Sequence, residues 1–164
     1  MIALVRVDNR LLHGQVLETW IPGLSATSVV VADDEAARSP LAQAAMCLCC
    51  PAEVPIEVTP MDRVDFAALA ARPGPVLVLV RDVAGLTAAA ARGLTPALAP
   101  RLNLGNVHYA DGRKPVSPSV FLAEAELGAL RALAAAGFEV EARAIPTDAP
   151  AGLDELARRF AAAR

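Results

Sequence analysis

The chain is poor in the features that would place it on nucleic acid or in a bilayer. Lysine occurs once, at Lys114, and the formal net charge is −3 over 164 residues. Without an excess of positive charge, nothing global steers it toward phosphate backbones or anionic lipid. No run of about 18 apolar residues appears, so no segment reads as a membrane-spanning helix and no direct membrane insertion is expected. The opening MIALVRVD turns polar too early for the apolar core of a secretory leader, and no small-residue cleavage pattern follows. Cysteine is scarce as well. Cys47, Cys49 and Cys50 are clustered and odd in number, which argues against a disulfide framework and for a reducing, cytoplasmic setting. No G-x-x-x-x-G-K-[ST] or G-x-G-x-x-G follows the first apolar run, which removes the familiar nucleotide-binding signatures.

What the chain does have is apolar character, with 55% hydrophobic and 20% charged residues. That balance specifies a well-buried globular protein, and the length suits one core, so a single domain over residues 1–164 is expected. Short β-branched runs alternate with alanine-rich amphipathic segments. Strands are predicted at residues 2–7, 27–32, 54–59, 75–80, 101–104 and 138–145. Helices are predicted at 14–20 (ending before Pro22), 39–50, 62–71, 86–93, 124–136 and 152–163. Ser39 reads as a cap with Pro40 in the first turn, and Gly137 as a stop. Residues 105–120 carry turn signals and read as a loop or hairpin. Strand alternating with helix is the pattern of βαβ units. The expected class is therefore α/β: an open, doubly wound, mainly parallel sheet with helices on both faces. In such sheets ligands bind beyond the carboxyl ends of the strands. Four polar loops follow strands directly, at residues 8–13, 32–35, 81–82 and 105–108, and all four should share that edge.

The first of these loops carries the most chemistry. In VRVDNRLLHGQV an apolar strand stops, and a carboxylate, an amide, a guanidinium and an imidazole follow within six positions (Asp8, Asn9, Arg10, His13). A neutral imidazole can act as a covalent nucleophile at cellular pH, and a phosphoimidazole divides one difficult transfer into two easier steps. Such a transfer needs positioning and stabilisation of charge on the equatorial oxygens. Arg10 offers a planar fork matched to phosphate, and the N–H groups of the helix opening near Gly14 offer more donors. Asp8 is placed to orient either Arg10 or the imidazole nitrogen that does not react. The competing reading is a plain polar loop with a capping histidine.

RVDNRLLHGQV resembles the signature of the enzyme IIB component of the mannose/fructose/sorbose-type sugar phosphotransferase system. The likeness continues in VVVADDEAARSPLAQ, LNLGNVHYADGRKPVSPSVFL and GFEVEARAIPTD, in order and at sensible spacing over nearly the whole chain. The resemblance implies that His13 accepts a phosphoryl group from a phosphorylated IIA protein. His13 would then pass it to a sugar bound by the membrane components IIC and IID. Arg10 and Asp8 match the motif neighbours, and Asn9, Gly14 and Gln15 complete the loop. No metal and no cofactor is implied, and no nucleic-acid partner. A different class of role with the same histidine is a regulatory module that senses phosphorylation and acts through protein contacts without modifying sugar.

Other residues divide between the site and ordinary structure. Asp33, with Asp34 and Glu35, fits a helix N-terminus better than a cation site, although Asp33 could line the phosphoryl edge. Arg81 and Asp82 depart from the family pattern, and read either as a docking feature or as a surface ion pair. Gly105 lets backbone come close to the site, and Asn106 follows where many relatives have glycine, since asparagine tolerates left-handed geometry. His108 reads as a loop histidine, Arg113 with Lys114 as a small basic spot or a solvated turn, and Ser117 as a donor or as its own turn's partner. The cysteines are expected to be buried and structural, and Trp20, Phe66 and Phe121 to pack the core.

Overall fold

A computed structural model describes residues 1–164. The first strand, β1, spans Ile2–Asp8 and is buried along almost its whole length. β2 (Ser28–Ala32) and β4 (Val76–Val80) are buried at every position, as expected of continuous β-branched runs covered on both faces. With β3 (Ile56–Thr59), β5 (Arg101–Asn106), β8 (Glu139–Ala142) and β9 (Ala151–Gly152) they form one sheet in the order β3-β2-β4-β1-β5-β8-β9. Every pairing in it is parallel except that of β9, an antiparallel edge strand absent from the sequence expectation. A small antiparallel hairpin, β6 (Lys114–Ser117) with β7 (Val120–Leu122), occupies the region read as a loop or hairpin.

The sheet divides two cores. One face carries α4 (Phe66–Ala71), α5 (Val83–Ala91), α6 (Glu124–Ala135) and α7 (Leu153–Ala162), packed on Val5, Val7, Val30, Val78 and Val80. The other face carries the helical turns after β1, α2 (Asp34–Ala37) and α3 (Pro40–Cys49), packed on Leu4, Val29, Val31, Leu77 and Leu79. The fold is thus the doubly wound, mainly parallel α/β architecture that the alternation of segments specified.

Several local expectations need correction. The helix after β1 does not stop before Pro22. It opens at Gly14, widens into a π-helical turn over Val16–Trp20, and runs on as α1 (Ile21–Gly23). Proline lacks an N–H and sits poorly in regular α geometry, and the wider turn lets the chain pass through it. Residues 62–71 form no single helix: a short 3₁₀ turn (Met61–Arg63) precedes α4, whose cap is Asp65 accepting from Ala68 N–H at 2.9 Å. The helix expected from Leu86 starts at Val83, because Asp82 caps it by accepting from Gly85 N–H at 2.8 Å. The strand expected to reach Ile145 ends at Ala142. Phe121 is only half-buried and meets exposed Tyr109 edge-on, at 5.9 Å between ring centroids. Cys47 and Cys49 are exposed on α3, not buried.

Candidate active site

Alternation along β1 puts Leu4, Arg6 and Asp8 on one face, so two charged side chains point into the second core. Neither is solvent-accessible. Burying them is tolerable only because each is paired and hydrogen-bonded. Parallel register sets Asn103 of β5 beside Arg6 and Glu141 of β8 beside Asn103. Arg6 donates to Asn103 Oδ1 at 2.6 Å, to the Arg143 carbonyl at 3.3 Å and to Asp8 Oδ2 at 3.0 Å. Its guanidinium also lies 4.9 Å from the Trp20 ring centroid, with Arg143 at 5.6 Å from the same ring. Trp20 in turn donates its indole N–H to the Ala144 carbonyl at 2.9 Å.

Gly105 belongs to this arrangement. A Cβ on it would collide with the Arg6 guanidinium carbon and both terminal nitrogens. The close approach that glycine permits here is to Arg6, and the next residue, Asn106, has no left-handed backbone. Asn106 contributes its carbonyl, which accepts from Asn9 N–H at 3.1 Å and holds the β1 and β5 loops together.

Beyond β1 the chain turns sharply, with Leu11 N–H donating to the Asp8 carbonyl at 2.8 Å. Leu11 adopts φ of 56°, a left-handed conformation uncommon for a branched side chain. Burial of Leu11 and Leu12 in the second core holds it there. This anchoring brings His13 back over Asp8. The Asp8 carboxylate gathers donors on both oxygens: Arg10 N–H at 3.1 Å and Arg10 Nε at 3.2 Å on Oδ1, with Arg6 Nη2 at 3.0 Å and His13 Nε2 at 2.9 Å on Oδ2. Burial pushes the Asp8 carboxyl up, but the hydrogen bonds from His13 and Arg10 and the charge of Arg6 outweigh it, leaving Asp8 below the usual carboxylate range. An anionic Asp8 can only accept, so the contact suits the tautomer of His13 that carries its proton on Nε2.

The His13 side chain is 18% exposed and that of Arg10 46%, so both reach the surface. Arg10 Nη1 has no protein partner, and the buried Asn9 Oδ1 has none either. Gly14 is exposed and Gln15 half-buried, where the helix opens with its first N–H groups free of intrahelical partners. The five principal concavities of the surface are lined by residues other than 8–15.

Asp33 and Arg81 form a separate pair at the ends of β2 and β4. Arg81 does not pair with adjacent Asp82. It donates to both oxygens of Asp33 at 2.8 and 2.7 Å, while Asp33 Oδ1 also caps α2 through Ala36 N–H at 2.7 Å. The structure makes no hydrogen bond between this pair and the loop of His13. Asp34 accepts from Met61 N–H at 2.8 Å, which accounts for it as a structural carboxylate. Arg113 is no free basic spot either, being held by Glu126 at 2.6 and 3.0 Å, and Lys114 lies over Phe160. His108 is exposed, and Ser117 accepts from Ser119 N–H within its own turn. Reasoning from the first loop alone passed over Arg6, Asn103 and Trp20. The available signal was a charged residue in the middle of a strand otherwise too apolar to face water.

Comparison with known proteins agrees with this geometry. The profile of the sorbose subfamily of IIB components of the phosphotransferase system matches residues 2–163. The chain is 30% identical over 156 residues to the N-acetylgalactosamine-specific phosphotransferase enzyme IIB component 2 of Escherichia coli (strain K12), covering 94% of this chain and 98% of that protein. Among solved structures, manxB from Thermoanaerobacter tengcongensis superposes with a TM-score of 0.85 at 28% identity, over 98% of this chain and 96% of its own. The IIBSor domain of the sorbose permease from Klebsiella pneumoniae shares the fold, with a TM-score of 0.83 at 21% identity over 96% of this chain and 97% of its own. An apolar chain that folds its first strand into a buried Arg–Asp pair beneath a surface histidine belongs to the sorbose subfamily of phosphotransferase-system IIB components.

Proposed function

We propose that His13 is the phosphoryl carrier of this IIB component, and that its Nδ1 is the nucleophile. The observation that carries this reading is the 2.9 Å contact between Asp8 Oδ2 and His13 Nε2, which supports a proton on the far nitrogen and leaves Nδ1 to attack. In the first step the Nδ1 lone pair attacks phosphorus on a phosphohistidine of a IIA protein. The P–N bond of that donor breaks, and its electron pair stays with the donor imidazole. The His13 ring then carries positive charge, which anionic Asp8 stabilises through Nε2–H. In the second step a hydroxyl of a sugar bound by membrane IIC and IID attacks phosphorus. The hydroxyl proton leaves to solvent or a nearby base, and the electron pair returns to Nδ1.

Arg10 stabilises the transferring group with its partner-free Nη1 while Asp8 holds its other nitrogens. Free N–H groups at Gly14 and Gln15 add donors, and the Asn9 N–H ties the loop to the Asn106 carbonyl. Asp33 with Arg81, and Gly105 with Asn106, shape the neighbouring loops. Side chains that reach the surface suit a phosphoryl group delivered by another protein. The chain has no helix long and apolar enough to cross a membrane, and we place its work at the cytoplasmic side of the membrane components.

The test is incubation with a phosphorylated IIA protein, mapping of the label, and addition of membranes bearing IIC and IID with sugar. We expect label on His13, its loss in His13→Ala, and its transfer to sugar. Label that persists in His13→Ala overturns the carrier assignment. Label on His13 that no sugar ever receives favours the regulatory role over transport. Arg10→Ala should slow transfer more than it weakens IIA docking, and equal loss of both would contradict the role given to its guanidinium.

A further inference from the structure

The arginines of this chain are mostly accounted for. Ten have an acidic or backbone-carbonyl partner, and four have none: Arg38, Arg63, Arg92 and the terminal Arg164. The first three line one concavity of about 580 Å³ that shares no residue with the His13 loop. They come from three different elements, namely the end of α2, the 3₁₀ turn after β3 and the end of α5. A helix C-terminus favours a cation singly at Arg38 and Arg92. It does not explain why the three arginines without a partner, apart from the terminal Arg164, line one concavity.

Two carboxylates share the concavity. Asp34 is committed through Oδ1 to Met61 N–H at 2.8 Å, which ties the turn to α2, and Asp62 has no partner. Neither forms an ion pair with the three arginines. Guanidinium forks are matched to phosphate oxygens, while the carboxylates can only accept, as from hydroxyl groups. We infer that this concavity is a binding site for a phosphate ester that carries hydroxyl groups. The arginines take the phosphate, and Asp62 with the free oxygen of Asp34 takes the hydroxyls. This site is independent of the phosphoryl-carrier reading and shares no residue with it.

The experiment titrates isotope-labelled protein with glycerol 3-phosphate, inorganic phosphate and glycerol, against sodium chloride at matched ionic strength, and follows backbone amide shifts. Saturable shifts at Arg38, Met61 and Arg92, tighter for the ester than for inorganic phosphate and absent with glycerol, are expected. Arg63→Gln with Arg92→Gln should weaken the ester about tenfold or more, since two charge-assisted hydrogen bonds are lost. Both residues are exposed, so the unperturbed remainder of the spectrum reports that the variant is folded. Shifts that track ionic strength, affinities unchanged in the double variant, or a response centred on His13 would overturn the site. An ester bound no tighter than inorganic phosphate would overturn the role of the carboxylates.

Discussion

Among single side chains, Arg6 is a charge with no access to solvent, paired with an equally buried Asp8. Burial pulls its guanidinium down from the ordinary arginine range, and Asp8 offsets part of that. Removing one partner of a buried pair typically costs about 3–5 kcal/mol, because the other charge is left uncompensated. Arg6→Met should lower the urea unfolding free energy by about that much and slow phosphoryl acceptance, since Asp8 loses a fixed orientation. Gly105→Ala should damage the protein by about 1–3 kcal/mol of overpacking against the guanidinium. If that damage acts through Arg6, it will be smaller in the Arg6→Met background, and an additive double variant would refute the coupling. Asp33 gives a pH test. Burial raises its carboxyl, but Arg81 and the α2 backbone bring it below the usual range. A depressed carboxylate contributes stability that is present above its unfolded value of about 3.9 and is lost as pH falls through the lower native value. Asp33→Asn should therefore show a shallower fall in urea midpoint below about pH 4 than the parent chain does.

Secondary elements show where local rules suffice and where they fail. Ser39 was legible as a cap, and it accepts from Ala42 N–H at 3.1 Å at the head of α3. Ser39→Ala should cost about 1 kcal/mol in chemical denaturation. Gly137 stops α6 with φ of 106°, which a side chain would strain. The widened turn over Val16–Trp20 was not legible, because it depends on where Trp20 must go. Its indole covers two guanidiniums and donates to a carbonyl 124 positions away. Trp20→Phe keeps an aromatic face but is smaller than the buried indole and leaves the Ala144 carbonyl without that donor. A loss of about 1–2 kcal/mol in thermal or urea unfolding is expected.

For the molecule as a whole, the two-sided sheet was readable from continuous apolar runs, while the third layer's boundary was not. The cysteines of α3 were expected to be buried, yet the helix buries only Met46 and leaves Leu41 81% and Leu48 86% exposed. Cys47 and Cys49 share that exposure, whereas Cys50 is half-buried, and its thiol is pushed up by burial and by the two neighbouring thiols. In the native protein a thiol-specific alkylating reagent should modify Cys47 and Cys49 rapidly and Cys50 slowly. Three equal rates in mass spectrometry would contradict this.

Periodicity and local punctuation were enough to establish the class of fold, the central strands, the caps at Ser39 and Gly137, and the loop that bears His13. These follow from short-range rules, since a strand two-sidedly apolar or a serine before a proline means the same in any neighbourhood. The choice of partners was settled only on folding. Arg81 bonds to Asp33, 48 positions away, rather than to adjacent Asp82, and Arg6 bonds to Asn103, 97 positions away. Side chains bond to whatever the order and register of the parallel strands set beside them, and that arrangement brings together residues that no local pattern connects.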